Sequence, residues 1–223
     1  MNLDSVEYFI QVAATVAFAV TAVLAVAPKG IDLFGACVMG IITAVGGGTV
    51  RDLILDVPVF WSTDLSYIWI ALAASVAAFW GQSLFARRHI NGLMLYFDAL
   101  GIALFGTQAV WKVWQLGFGL PVAPVLLGII TAIGGGLIRD VLAGRQTLLM
   151  SRDIYAVPVL LGTLLYVLVL EFFPQHGDIG ALACFGLIFT VRAAAIHWSL
   201  SVPAWLTTQP SSSGPSSSDP SAP

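Results

Sequence analysis

Two pairs of opposite charges stand inside otherwise apolar sequence, Arg51-Asp52 and Arg139-Asp140. Each follows a run of three glycines, Gly46-Gly47-Gly48 and Gly134-Gly135-Gly136, with the arginine three positions past the last glycine. Ionised side chains in an apolar span are expensive and are usually retained for a task, such as holding an ion or a substrate. A glycine costs ~1 kcal/mol relative to alanine inside a helix, so three in succession predict a break ahead of each charge pair. Backbone freed in this way is tolerated at membrane depth only where protein or water satisfies it. The half-helix before the break would offer carbonyl oxygens suited to a dehydrated cation, and the half-helix after it amide groups suited to a carboxylate. The competing reading is close packing, because Gly40, Ala44, Gly48 and Gly128, Ala132, Gly136 form small-xxx-small ladders. The doubled charges favour a binding or conduction pathway.

Neighbouring residues on a helix point to different sides, so Arg51 is not expected to pair with Asp52. The repetition suggests reciprocal pairing instead, Arg51 with Asp140 and Arg139 with Asp52. Asp98, the one acid deep in its span, is a second candidate partner or an ion ligand; as an alternative it faces the cytosolic interface. Arg192 is expected to snorkel to that surface. His89 joins Arg87 and Arg88 as a solvated or headgroup-facing group, and His176 and His197 lack the spacing and the neighbouring cysteines of a zinc site. Neither metal nor cofactor is expected. The glycine runs lack the spacings of a dinucleotide or phosphate loop, and no nucleophile elbow or paired His-Glu motif is present, so the residues do not suggest an enzyme.

The elements that carry these groups are repeated. Residues 40–56 read GIITAVGGGTVRDLILD and residues 128–144 read GIITAIGGGLIRDVLAG, ten identities in seventeen positions at an offset of 88. Apolar runs fall near 5–26, 32–46, 66–86, 92–112, 122–138, 154–173 and 179–200, predicting seven transmembrane helices with the second and fifth interrupted at the glycines. Small residues stripe the first helix (Ala13, Ala17, Thr21, Ala25) and the third (Ala73, Ala77, Gly81), as helices that pack in lipid require.

Composition agrees. Of 223 residues 58% are hydrophobic and 9% charged, against about 25% charged in an ordinary soluble domain. A net charge of −3 with scattered cations gives no basic surface for nucleic acid. Cys37 and Cys184 lie in apolar runs and read as small core residues. No cleavage site follows the first span, so residue 1 is expected to begin the mature chain. The expected organisation is a first three-helix repeat over 1–86, a second and inverted one over 87–173, a seventh helix within 174–206, and a disordered Ser/Pro-rich tail over 207–223. With the N-terminus outside, the inner loops hold Lys29, Arg87, Arg88, Arg145 and Arg152 and the outer ones only Lys112, which favours N-out and C-in. A six-span, N-in arrangement is the alternative and places Arg87 and Arg88 outside.

The duplicated GGGxxRD, Pro58-Val59-Phe60-Trp61 after the first copy, Asp153-Ile154-Tyr155-Ala156 after the second, and Arg192-Ala193-Ala194-Ala195-Ile196-His197-Trp198 near the end resemble the prokaryotic TRIC (trimeric intracellular cation) channel family, over residues 5–203. That bacterial family is also called the glycine transporter domain. The resemblance implies an all-α membrane protein of two inverted three-helix repeats plus a seventh helix, assembled as homotrimers, with one pore per protomer between kinked second and fifth helices. Three departures stand out: Gln11 and Ala13 where an Asp is usual, Thr21-Ala22 in place of Ser-Gly, and Gln146-Thr147-Leu148 where a Pro is common. The missing Asp shifts weight to Asp98. The expected function is a potassium-permeable cation channel of the bacterial inner membrane. A carrier for a small zwitterion such as glycine is the alternative, and a scaffold without transport leaves the doubled charges unexplained.

Overall fold

With few charges, and with backbone amides that must find partners inside the molecule, helix is the local solution almost throughout. The computed structural model describes residues 3–82, 87–151 and 153–201, with backbone alone at 3–7 and 87–89. The tail 207–223 and Arg152 lie outside the described residues, as do the side chains of Arg87, Arg88 and His89. The α-helices are α1 (Leu3–Val26), α2 (Leu33–Ile54), α3 (Phe60–Thr63), α4 (Ser66–Gly81), α5 (Arg87–Gln115), α6 (Val122–Leu142), α7 (Ala156–Phe172) and α8 (Gly177–His197). Five of them, α1, α2, α5, α6 and α8, are long and apolar enough to cross a membrane, while α4 and α7 are shorter apolar helices. The four-residue α3 was not expected from the apolar pattern.

α5 runs through the middle, packed against α1, α6, α7 and α8, while α2 lies against α1, α4 and α6. Phe18, Ile102, Phe105, Val159 and Ile188 from four of these helices meet in the main core, with the Phe18 and Phe105 rings stacked at 5.4 Å. Of the small residues on α1, Ala17, Thr21 and Ala25 are buried within the chain whereas Ala13 is exposed; on α4 the buried positions are Ala71 and Ser75, and Ala73 and Ala77 face out. Trp69, Trp80, Ile179 and Leu182 are also exposed, as apolar side chains facing lipid would be.

The expected breaks at the glycines are overturned. α2 runs helical through Gly46, Gly47 and Gly48, and α6 through Gly134, Gly135 and Gly136. The reason is the contact between these two helices. A Cβ on Gly47 would fall on the Thr131 carbonyl oxygen and 3.3 Å from the Gly135 nitrogen, and a Cβ on Gly135 would fall on the Thr43 carbonyl oxygen. Position 43 meets 135 while 47 meets 131, so the helices cross antiparallel with their backbones touching. A Cβ on Gly134 would lie 3.3 Å from the Gly47 Cα. The propensity lost at each glycine is offset by packing that no larger residue permits, but the contact runs through Thr43, Gly47, Thr131 and Gly135, whereas Gly40, Gly48, Gly128 and Gly136 of the expected ladders face Ser75, Phe60, Val110 with Thr163, and Tyr155 instead.

Both helices end alike. At α2 the Asp56 and Val57 amides bond back to the carbonyls of Leu53 and Asp52; at α6 those of Gly144 and Arg145 bond back to Val141 and Asp140. This double bond pattern needs a left-handed residue at the helix exit. Asp56 (φ 53°) and Gly144 (φ 57°) supply it, again 88 positions apart.

Replacing Gly47 and Gly135 by alanine should therefore lower stability through overpacking, typically ~1 to 3 kcal/mol at each site, despite better helix propensity. Gly186→Ala, where a Cβ meets nothing within 4 Å, is the control and should leave stability level or slightly raised. Thermal melting of the purified protein in detergent checks the contrast, and equal melting of all three variants would contradict the close crossing.

Candidate functional site

Because α2 and α6 are antiparallel and each bears its charge pair in its last turn, the two pairs sit at opposite ends of the crossing. A carboxylate near a helix C-terminus is disfavoured by the helix dipole, so each needs strong local partners. At the first end Asp52 accepts from Arg51 Nε and Lys112 Nζ, both at 2.8 Å, through Oδ1, and from the Phe60 amide at 2.9 Å through Oδ2. Arg51 Nη1 donates to Gln108 Oε1 at 2.7 Å, and its guanidinium lies 6.0 Å from the Phe60 ring. One carboxylate thus ties the end of α2 to the start of α3 and the end of α5.

The second end copies the first atom for atom before diverging. Asp140 accepts from Arg139 Nε at 2.9 Å through Oδ1 and from the Leu148 amide at 3.1 Å through Oδ2, Leu148 lying 88 positions after Phe60. Here Arg139 Nη1 meets a carboxylate, Asp98 Oδ1 at 2.7 Å, where Arg51 meets an amide. Arg51, Asp52, Asp98, Arg139 and Asp140 are all at most 2% exposed. Asp98 Oδ2, Arg139 Nη2 and the Tyr155 hydroxyl are buried without a hydrogen-bond partner among the described residues. The three side chains converge on Gly136, where an added Cβ would lie 3.0 Å from the Tyr155 hydroxyl, 3.2 Å from Asp98 Oδ1 and 3.5 Å from Arg139 Nη2.

Several expectations are corrected by this geometry. Each arginine pairs with its own neighbour, not across the crossing, because the long side chain folds back until Nε reaches the adjacent carboxylate while Nη1 is held from α5. Asp98 is a partner of Arg139 and is fully buried, so it does not face an interface. Lys112 belongs to the last turn of α5 and to the Asp52 cluster, not to an outer loop. Arg192 does not snorkel: it is 1% exposed. Gln108, Lys112 and Tyr155 were missed as site residues. A longer comparison of the two halves would have flagged Tyr155, since Tyr67 lies 88 positions before it and is also buried, bonded to Gln11.

Removing the carboxylate at position 52 leaves two cations with no anion, whereas removing that at 140 leaves Arg139 paired with Asp98. Asp52→Ala should thus cost about 3 to 5 kcal/mol, the usual loss when one member of a buried pair is deleted. Asp140→Ala should cost less. Lys112→Met, at a pair whose lysine is 25% exposed, should cost about 1 kcal/mol or less. Melting temperatures of the three variants in one detergent check the order.

Comparison with known proteins agrees with the duplicated architecture. The profile of the family described as "Glycine transporter" matches twice, over residues 8–83 and 95–171. The chain is 33% identical over 199 residues to the UPF0126 inner membrane protein YadS of Escherichia coli (strain K12), covering 89% of this chain and 95% of that one. A UPF0126 membrane protein of Vibrio cholerae is 32% identical over 212 residues, 92% of this chain and 85% of that protein. Among solved structures, the TRIC trimeric intracellular cation channel orthologue from Rhodobacter sphaeroides superposes with a TM-score of 0.82 at 33% identity, over 88% of this chain and all of the other. A prokaryotic TRIC channel solved in 0.5 M KCl gives the same TM-score at 24% identity, which speaks to the fold alone. Two profile matches covering most of the chain, with full-length relatives and a full-length structural neighbour, establish that the chain belongs to the TRIC channel family, also named the glycine transporter domain family.

Proposed function

We propose that the chain is a bacterial inner-membrane channel for monovalent cations, permeable to potassium, assembled as a homotrimer with one pathway per protomer between α2 and α6. The observation that carries this reading is that both arginines at the crossing are paired with carboxylates in place. Arg51 and Arg139 facing a pathway unpaired would raise a barrier to cations. Arg51 shares Asp52 with Lys112, whereas Arg139 lies between Asp140 and Asp98, so the second end of the crossing carries the surplus carboxylate. Similarity to the TRIC orthologue from Rhodobacter sphaeroides supports the same conclusion. Conduction then requires α2 and α6 to part, which Gly46, Gly47, Gly134 and Gly135 favour because they carry no side chains to interlock there, while Gly48 and Gly136 border the charged clusters at Phe60 and at Tyr155 with Asp98.

The family name favours a second reading, a carrier for a small zwitterion such as glycine. Purified protein in liposomes separates the two. The channel reading expects single-channel potassium current with no saturable uptake of labelled glycine; saturable uptake without current would replace it.

The topology proposed is seven spans, α1, α2 and α4 inverted on α5, α6 and α7, with α8 as the seventh, N-terminus outside. Arg145 Nη1 donates to the Ala25 carbonyl at 3.1 Å, which supports placing the cation-bearing loops after α1 and after α6 on one side. The pairing of Lys112 with Asp52 removes the only cation counted against this orientation. A cysteine at exposed Gln175 should react with an impermeant thiol reagent from outside intact cells, against a low background because Cys37 and Cys184 are buried. Labelling only after the inner face is opened would reverse the orientation.

A further inference from the structure

Arg192 is a charged side chain that the duplicated clusters do not account for. It stands on α8, outside the two matched repeats, buried beneath Tyr155 with its guanidinium 4.9 Å from that ring. Nη1 donates to the Ile154 carbonyl at 3.1 Å, but Nε and Nη2 have no hydrogen-bond partner among the described residues. Unpaired buried donors are costly, and a guanidinium presents its donors as a fork matched to a carboxylate or phosphate. Beside it opens a cavity of about 150 Å³ lined by Leu95, Asp153, Arg192, Ala195, Ile196 and Ser199. At ~30 Å³ per water molecule that is room for an amino acid or a small headgroup, not for a larger solute. The two charges in its lining are opposite, with Arg192 buried and Asp153 exposed.

We propose that this cavity binds a small zwitterion, its oxyanion on the Arg192 guanidinium and its ammonium on the Asp153 carboxylate. A simple anion would meet the repulsion of Asp153, and a simple cation that of Arg192. Leu95, Ala195 and Ile196 supply an apolar wall for the short carbon linker between the charges. The same chemistry belongs to a free amino acid such as glycine and to the phosphoethanolamine headgroup of a membrane lipid. The site lies apart from the α2–α6 crossing and stands whether or not that crossing conducts ions.

Calorimetric titration of the full chain in detergent tests it, with glycine and glycerophosphoethanolamine as zwitterions and with ethanolamine and inorganic phosphate as single-sign probes. One zwitterion should bind per chain at least tenfold more tightly than either single-sign probe. Arg192→Gln should abolish binding. Asp153→Asn should weaken the zwitterion about tenfold and remove its advantage over phosphate. Should Arg192→Gln fail to fold, Leu95→Trp fills the half-buried edge of the cavity, leaves both charges, and should also abolish binding in a protein of unchanged melting temperature. Preference for glycine marks a free amino acid as the occupant. Preference for glycerophosphoethanolamine, with one phosphatidylethanolamine retained per chain in native mass spectrometry, marks a lipid. Zwitterion affinity no better than that of the single-sign probes, or unchanged binding in the folded Leu95→Trp protein, overturns the assignment.

Discussion

A carboxylate in the last turn of a helix is the interaction on which each half of this protein depends. Asp52 and Asp140 sit where the helix dipole disfavours negative charge, and each is held there by the arginine before it and by a backbone amide eight residues on. The amide contact fixes where the chain goes after the helix, and the arginine contact cancels a charge that an apolar interior would not otherwise tolerate. The left-handed residue at Asp56 or Gly144 turns the chain so that the amide can arrive. Exit, turn and charge pair form one unit, and the unit is duplicated whole.

Between the two units lies a crossing made possible by the absence of side chains. α2 and α6 approach until the carbonyls of Thr131 and Thr43 occupy the places where the Cβ atoms of Gly47 and Gly135 would be. In lipid the hydrophobic effect gives helices no reason to associate, so such backbone contact carries much of the association, and larger residues would abolish it. Contacts without interlocking side chains are also the kind that can separate and re-form. The charged clusters at the two ends and the bare crossing between them therefore belong to one structural arrangement.

α5 breaks the symmetry. It supplies Asp98 to Arg139 at one end and Gln108 with Lys112 to the other, so one helix serves both duplicated units from positions that are not equivalent. The first end combines two cations with one carboxylate; the second combines Arg139 with two carboxylates and keeps polar atoms near Gly136 that find no partner among the described residues. α8 adds Arg192 and Tyr155 contacts to the second end alone. Duplication provided the frame, and divergence within α5 and α8 made its two ends chemically different.

The sequence by itself determined the apolar helices, the repeat, the charge pairs and the family, because these are properties of composition and of spacing along one chain. It also marked Asp98 as a candidate charge partner or ion ligand, and the pairing with Arg139 is the part of that reading the structure shows. It misled on the glycine triplets: propensity counts only what a helix loses, ~1 kcal/mol for each glycine, and what the helix gains there comes from a second helix 88 residues away in sequence. The pairing of Arg51 with Asp52 was equally out of reach, because the turn of the arginine side chain is set by Gln108, 57 positions on. The burial of Arg192 depends on the ring of Tyr155 and the carbonyl of Ile154 lying over it. Only the tertiary structure decided these points, since each rests on a close approach between segments distant in the chain, and such an approach leaves no periodicity in either segment alone.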